Sequence, residues 1–416
     1  MKVLIVGKGG REHALATKAH ESSLVKEVFV APGNPGMKNI ATILNISDSD
    51  IENLAKFAQE KEIDLTIVGP EHSLALGIVD EFEKRGLKVF GPSKKAARIE
   101  SSKDFAKKIM EKYSIPTAEY KTFDSIDGAR EYVLRKGAPI VIKEDGLKAG
   151  KGVTVATTVE EALEAIEVAF SIENNRVVIE ECLEGFEFSL IALVNGKEVI
   201  PLEVAQDHKR VFDGDNGPNT GGMGVYSPVS KITEEIVSET VEKIMKPMAE
   251  AMVEEGHPFK GFLFGGIMLT DSGVKTIEFN ARFGDPEAEA ILPRMESDFI
   301  EIVLNIMDGK HSEIKWNPKY SLGVVLASEN YPSSATLGER IEIPETIDST
   351  VYHMGTGMSG EGLVTAGGRV LCVVAFGDTL EEAKENAYED VQKIKCKKLF
   401  YRSDIGAKLC YNNKNK

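Results

Sequence analysis

The sequence predicts an α/β protein of several domains. A doubly wound parallel-sheet domain opens the chain, an α+β middle follows, and a mostly β domain closes it. Three observations carry this. Over residues 1–101, short apolar runs ending in Gly or Pro alternate with amphipathic stretches, which is how strand–helix–strand units of a parallel sheet read. From about residue 120 the pattern becomes strand, helix, strand, and the last hundred residues are strand-like apart from one helical stretch. A chain of 416 residues also exceeds one ordinary core, so roughly two to four domains are expected.

The elements follow in order. "KVLIV", "EVFVA", "DLTIVGP" and "LKVFGPS" read as strands, with helices over 11–20, 49–61 and 73–85 between them. In "SKDFAKKIMEKY", Phe105, Ile109 and Tyr113 recur at helical spacing. Pro116 stops further helix. "APIVIK" and "VTVATT" are strands, 159–170 is a helix, and "RVVIEECLEG" is a strand running into a turn. Strands "FEFSLIALV" and "EVIPLEVA" precede a long polar loop, a helix near 232–255 and a hairpin. "SLGVVLAS", "RVLCVVAFG" and a helix near 379–394 complete the chain. Domains are therefore expected at 1–101, 102–320 and 321–416.

Composition excludes several functions. A net charge of −16 and a pI near 5.1 offer no basic face to nucleic acid and none to an anionic membrane. Cys182, Cys372, Cys396 and Cys410 show no C-x-x-C spacing, so neither a zinc site nor a redox pair is suggested and a reduced, cytoplasmic setting is expected. "MKVLIVGKGG" has too short an apolar run for a signal peptide, and no later stretch could span a bilayer.

The chemistry-bearing stretches begin with "EDGLKAGKGV", 144–153. It resembles a phosphate loop but misses the frame: Gly146 stands one residue too close to Gly150–Lys151, and Gly152 replaces the metal-binding hydroxyl. The segment joins two strands, so its backbone N–H groups could converge on an anion without a helix; a flexible hairpin is the competing reading. Lys143 ends the strand before it, and Lys103 occupies a first helical turn, where the helix dipole disfavours a cation.

In "GVKTIEFNARFGDPE", strand alternation puts Glu278, Asn280 and Arg282 on one face, with Ile277 and Phe279 towards the core. A carboxylate beside an amide oxygen suits Mg²⁺, and an Arg two residues on suits a phosphoryl group; a solvated Arg–Glu face is the alternative. The loop "QDHKRVFDGDNGPNTGGMG", 206–224, offers His208, Lys209 and Arg210 to phosphate and is of a length typical of lids or disorder. Glu180 or Glu181 could line a nucleotide edge. The early glycines Gly7, Gly9 and Gly10 fail the dinucleotide fingerprint at Glu12, and the second strand ends without the ribose-binding acid, which argues against NAD. An anion at that helix N-terminus stays open.

In combination, "GGREHAL", "VAPGN", "VGPE", "FGPS", "SIPTAEY", "DGLKAGKGV", "VVIEECLEG", the 206–224 loop, "IEFNARFGDPE" and "GGRVLCV" resemble the ATP-grasp ligases and, more narrowly, the phosphoribosylamine–glycine ligase family, from end to end. The resemblance implies an ATP-grasp domain at 102–320 with a small ATP-clamping subdomain at about 120–187, behind a Rossmann-like N-terminal domain. It implies ATP-dependent joining of glycine to 5-phosphoribosylamine through glycyl phosphate in purine (IMP) biosynthesis, with Mg²⁺ or Mn²⁺ and with ATP as co-substrate. Lys103, Lys143, Gly150, Lys151 and Gly152 would hold phosphates, Glu180, Glu181, Cys182 and Leu183 the adenine, and Glu187 the ribose. Arg210 and Asn219 would complete the nucleotide site, and Glu278 and Asn280 the metal site. Arg282 and Asp285 would face the acyl phosphate and the glycine amine. Gly9, Gly10, Arg11 and Arg369 would anchor the ribose phosphate. The partners are small molecules, with no nucleic acid or membrane, on a monomer or weak homodimer. The strand "GFLFGGIML" lacks the carboxylate that many ATP-grasp enzymes carry there. The alternatives are an ATP-grasp ligase for another small carboxylate, a non-catalytic ATP-binding regulator, and a nucleotide-dependent oxidoreductase.

Overall fold

Strands Lys2–Gly7 (β1), Glu27–Pro32 (β2), Thr42–Ile43 (β3), Leu65–Val68 (β4) and Val89–Phe90 (β5) form a parallel sheet in the order 3-2-1-4-5. The structure is a computed structural model describing residues 1–148, 152–172, 175–360 and 362–407. β1 is a continuous apolar run because both of its faces are covered. Helices Gly10–Glu21 (α1) and Ile51–Glu60 (α2) lie where the apolar periodicity put them. The helix expected over 73–85 is two, Glu71–Leu76 (α3) and Ile78–Lys84 (α4), because Gly77 adopts φ +98° between them. That left-handed backbone ends one helix and starts the next.

A short turn, Arg98–Ser101 (α5), leads into Lys103–Lys112 (α6). Strands Tyr120–Phe123 (β6), Ile140–Glu144 (β7), Val153–Ala156 (β8) and Val177–Glu181 (β9) then make an antiparallel sheet ordered 6-9-7-8. Helices Ile126–Lys136 (α7) and Val159–Phe170 (α8) cover it, and Val133, Ile140, Ala162, Ile166 and Ile179 form a small core of their own. A separate core lets this unit move as a body. β7 and β8 pair with Lys143 opposite Val153, so the glycine stretch is a hairpin tip as expected. Gly150 and Lys151 of that tip lie outside the described residues.

Strands Phe186–Asn195 (β10) and Glu198–Pro201 (β11) follow. The expected polar loop over 206–224 is largely strand: Gln206–Asp207 (β12), Arg210–Phe212 (β13), Asn216–Asn219 (β14) and Gly224–Ser227 (β15). β13 and β14 pair with each other, while β15 pairs β12 on one side and a C-terminal strand on the other. Glu234–Thr240 (α9) and Lys246–Glu254 (α10), joined by a π-helical turn, precede the hairpin Lys260–Thr270 (β16) and Gly273–Asn280 (β17). These complete a sheet ordered 11-10-16-17.

Glu287–Ile291 (α11) and Phe299–Met307 (α12) come next. The second was not anticipated, although Glu301 and Asn305 share one face and leave Phe299, Ile300, Val303 and Ile306 as a buried apolar stripe. Strands Tyr320–Ser328 (β18), Thr350–His353 (β19), Thr356–Ser359 (β20), Gly362–Thr365 (β21) and Arg369–Gly377 (β22), helix Leu380–Lys393 (α13) and strand Leu399–Phe400 (β23) complete the chain. The C-terminal sheet runs 12-15-18-22-19, with β23 beside β18. It therefore takes in β12 and β15 from before residue 320. β12 joins it through β15, and the partner of β15, β18, lies about a hundred residues ahead, beyond the reach of local pattern.

Candidate active site

One cleft of about 830 Å³ opens between the small sheet, the β16–β17 hairpin, the β12–β14 segment and the N-terminal domain. That is enough for a nucleotide and a second small molecule.

Two lysines share one carboxylate at its back. Glu180, at 4% exposure, lies 2.9 Å from Lys107 Nζ and 3.0 Å from Lys143 Nζ through the same Oε2. Its Oε1 has no partner among the described residues. Lys143 also donates to the Ile277 carbonyl at 2.9 Å, and Lys107 to Thr117 Oγ1 at 2.8 Å. Burial pulls the Lys107 ammonium down to about 8 against the attraction of Glu180. Lys107 was not singled out in the sequence. The available signal was its i,i+4 spacing from Lys103, which puts both on one helix face.

Lys103 opens α6 without the dipole penalty expected of it. Ser102 caps the helix, Asp145 Oδ1 accepts from the Lys103 amide at 2.6 Å, and the ammonium donates to the Gly146 carbonyl at 2.9 Å. The base of the glycine hairpin is thus tied to the helix N-terminus by a carboxylate, which the dipole favours. Burial lowers the Lys103 ammonium, and Glu278 opposes that most strongly.

The adenine-edge residues divide. Glu180 turns inward to the lysines, whereas Glu181 is half-exposed and accepts from the Glu119 amide at 3.2 Å. Cys182, Leu183 and Gly152 line the cleft. Glu187 pairs with Lys209, whose ammonium also lies 3.8 Å from Glu278 Oε1. Burial opposes it, yet Glu187 and Glu278 push that ammonium up. Arg210 and Asn219 stand directly opposite each other on β13 and β14.

On β17, the simple alternation needs correction at one residue. Gly266 faces Glu278 but Ile267 faces Thr276, so Ile277 is the extra residue of a bulge. Phe279 is buried as expected, while Ile277 is only partly buried and lines the cleft. Glu278, Asn280 and Arg282 all line it too. Burial raises the Glu278 carboxyl, but Lys209, Lys143 and Lys103 together bring it below its ordinary value. Among the described residues no three His, Cys, Asp or Glu side chains come together as a metal cage. Glu278 and Asn280 suit a hard cation that takes its remaining ligands from phosphate and water.

Arg282 sits between two acids the sequence reading missed, 3.0 Å from Glu100 Oε1 and 3.4 Å from Glu71 Oε2. Burial pushes Glu100 up to about 7. Burial also acts on Glu71, but Arg282 and Arg11 hold it at about 2. Arg11 is buried and donates to the Phe283 carbonyl at 3.2 Å, while the Gly9 amide donates to Glu12 at 2.6 Å. Arg369 presents no open fork to a phosphate. Its guanidinium donates to the carbonyls of Gly221 at 2.6 Å and Asp285 at 2.7 Å, and lies 2.8 Å from Asp285 Oδ1. Gly10 packs against Glu289, whose Oε1 would stand 2.1 Å from a Cβ placed there. The expected ribose-phosphate group at Gly9, Gly10, Arg11 and Arg369 is therefore braced internally.

Comparison with known proteins now decides the family. The model described as "Phosphoribosylglycinamide synthetase, ATP-grasp (A) domain" matches residues 101–288, the N domain of the same family matches 1–100, and its C domain matches 321–408. The chain belongs to the phosphoribosylglycinamide synthetase family. A phosphoribosylamine–glycine ligase of Halalkalibacterium halodurans is 51% identical over 98% of this chain and 97% of its own length. One of Lactococcus lactis is 50% identical over 98% and 100%. The crystal structure of phosphoribosylamine–glycine ligase from Thermotoga maritima superposes with TM-score 0.85 at 34% identity, over 97% of this chain and 100% of that one. The biotin carboxylase domain of a Hydrogenobacter thermophilus 2-oxoglutarate carboxylase, solved with MgADP and bicarbonate, shares the fold at TM-score 0.71 and 16% identity, over 96% and 91%. The ATP-grasp architecture thus extends to carboxylases of unrelated substrate, and the narrower likeness is to the glycine ligases.

Proposed function

We propose that the chain is an ATP-dependent ligase that joins glycine to 5-phospho-D-ribosylamine in purine biosynthesis, giving glycinamide ribonucleotide, ADP and phosphate. The observation that carries it is the convergence of Lys103, Lys143, Lys209, Arg282 and the Glu278–Asn280 pair on one cleft, in a chain of this family matched end to end.

The residues then divide the work. Lys103, Lys143 and the base of the 146–152 hairpin face the phosphates, and Glu180 holds the Lys143 ammonium in place. Cys182 and Leu183 line the base, and Glu187, Arg210 and Asn219 the remaining nucleotide edge. Glu278 and Asn280 would hold Mg²⁺ or Mn²⁺, which when bound would supply charge neutralisation to the phosphates. A glycine carboxylate oxygen attacks the γ-phosphorus, the bond to the bridging oxygen breaks, and ADP leaves. Arg282, held in place by Glu71 and Glu100, stabilises the charge on the transferring group. The phosphoribosylamine nitrogen then attacks the acyl carbon and phosphate departs, a far better leaving group than oxide. Asp285 fixes Arg369, which in turn holds the 221–222 turn over the site. A cytoplasmic setting suits this chemistry; among the described residues no helix is long and apolar enough to cross a membrane.

ADP release from ATP and Mg²⁺, with glycine and fresh phosphoribosylamine each omitted in turn, tests the reading. Dependence on both, with one ADP per glycinamide ribonucleotide, is expected. Turnover with formate or bicarbonate but not glycine overturns the substrate.

A further inference from the structure

The substrate that is activated carries an ammonium as well as a carboxylate, and a buried ammonium needs a carboxylate partner. Most acids on the cleft wall are already engaged. Glu71 and Glu100 hold Arg282, Glu180 holds Lys107 and Lys143, Glu187 holds Lys209, and Asp285 holds Arg369. Glu278 belongs to the metal strand. Glu181 lies 3.7 Å from Lys275 and Asp215 lies 3.0 Å from Arg402, which leaves Asp207 and Glu287.

Asp207 is fixed by the pairing of β12 with Val225 of β15. Its Oδ1 is shut off from bulk water yet accepts no hydrogen bond among the described residues. Gly222 lies against it with φ +116°; a Cβ there would stand 2.6 Å from Asp207 Oδ1 and 2.5 Å from Pro286 Cδ. Only glycine at 222 leaves the carboxylate room. Glu287, buried at the start of α11, accepts from Ser189 Oγ at 2.8 Å. Burial and the facing Glu287 carboxylate push Asp207 well up, against Lys209 and Arg369. A cation arriving between the two acids relieves that conflict. Glu287 also feels Lys209 and Arg282, so the acidic pair adjoins the side of the cleft where the carboxylate is activated.

We infer that Asp207, backed by Glu287, receives the ammonium of the amino-acid substrate and is the residue by which the site prefers an α-amino acid to other small carboxylates. The inference rests on the ligase reading above and moves the amine from Asp285, where the family resemblance implied it, to Asp207.

Asp207→Asn, with steady-state kinetics, tests it. Glycine and glycolate, in which hydroxyl replaces ammonium, are compared as substrate and as competing ligand. The KM for glycine rises about 100-fold, as expected when one partner of a buried charge pair is truncated. The inhibition constant of glycolate and the KM for ATP change less than about three-fold. An unchanged glycine KM overturns the inference, and so does parallel weakening of glycine and glycolate, the mark of a merely structural role. If the variant does not turn over, calorimetric binding of both acids to it, saturated with a non-hydrolysable ATP analogue, reads the same ratio. Wild-type enzyme that makes no ADP with glycine and phosphoribosylamine is a distinct failure, that of the ligase reading itself.

Discussion

Glu180 shows how one side chain sets the electrostatics of the nucleotide cleft. Two buried ammonium groups converge on a single one of its oxygens, at 2.9 and 3.0 Å. Glu180→Gln leaves both cations buried without a counter-charge, a change that costs about 3–5 kcal/mol when a buried pair is broken. The expected outcome is a lower midpoint in denaturant and a KM for ATP raised at least about ten-fold; an unchanged midpoint would show that the lysines find another partner. Glu278 belongs to the same scale. Glu278→Gln keeps the shape of the strand but weakens a hard-cation site, so half-maximal activity should need about ten-fold more Mg²⁺, or more, in a metal titration. At this scale the sequence was informative about what lines the cleft and poor about what each group touches. Lys103, Lys143, Glu278, Asn280 and Arg282 were all placed on the cleft by motif. Lys107 could have been found from its spacing to Lys103, but that Arg369 is occupied by Asp285, and that Glu71, Glu100 and Asp207 enter the site, depends on neighbours far away in the chain.

Among the elements, the β13–β14 hairpin has the least obvious support, since its sequence is polar and rich in glycine. It is held from the C-terminus. Arg402, 1% exposed, donates to the Arg210 carbonyl at 2.9 Å and to Asp215 at 3.0 Å, while Asp404 accepts from the Gly214 amide at 2.8 Å. The Ser403 amide donates to Asp213 at 2.8 Å. The last described residues therefore strap down the hairpin that carries Arg210 and Asn219. Arg402→Met should speed hydrogen exchange across 210–219 and raise the KM for ATP several-fold, while α13 stays protected. Equal loosening of α13 would mean a general loss of the C-terminal domain instead. The hairpin was legible only as a long loop because its strands are short and polar and the residues that brace it, Arg402 to Asp404, lie almost two hundred residues ahead. The opposite holds for α8, where "TVEE" supplies a capping box and the apolar stripe follows at once; its bounds were legible from sequence alone.

At the scale of the molecule, the N-terminal domain and the C-terminal sheet meet through α1. His13 Nδ1 accepts from the His353 amide at 3.0 Å, and its ring lies edge-on to Tyr352 at 5.4 Å. Burial, with His353 nearby, holds His13 down at about 3, and burial holds His353 at about 4. Both lie below the ordinary value for histidine, so below about pH 6.5 the unfolded chain takes up protons that the folded chain refuses. The stabilisation is complete above that pH and is lost as pH falls towards 4, at roughly 1.4 kcal/mol per pH unit for each histidine. Thermal melts across pH 4–7 should steepen accordingly, and His13→Gln should flatten the difference; a variant with the wild-type pH profile would contradict the assignment.

The three-part architecture was readable because each part has a distinct local rhythm. The sharing of β12 and β15 with the C-terminal sheet was not, because sheet partnership across a hundred residues leaves no local trace. What unites the scales is the claim that one cleft passes the γ-phosphoryl group of ATP to the carboxylate of glycine before the amine attacks. Glycine labelled with ¹⁸O in its carboxylate tests that claim most directly, through the mass of the phosphate released. The account predicts one ¹⁸O in every phosphate formed with glycinamide ribonucleotide; phosphate free of label would contradict it.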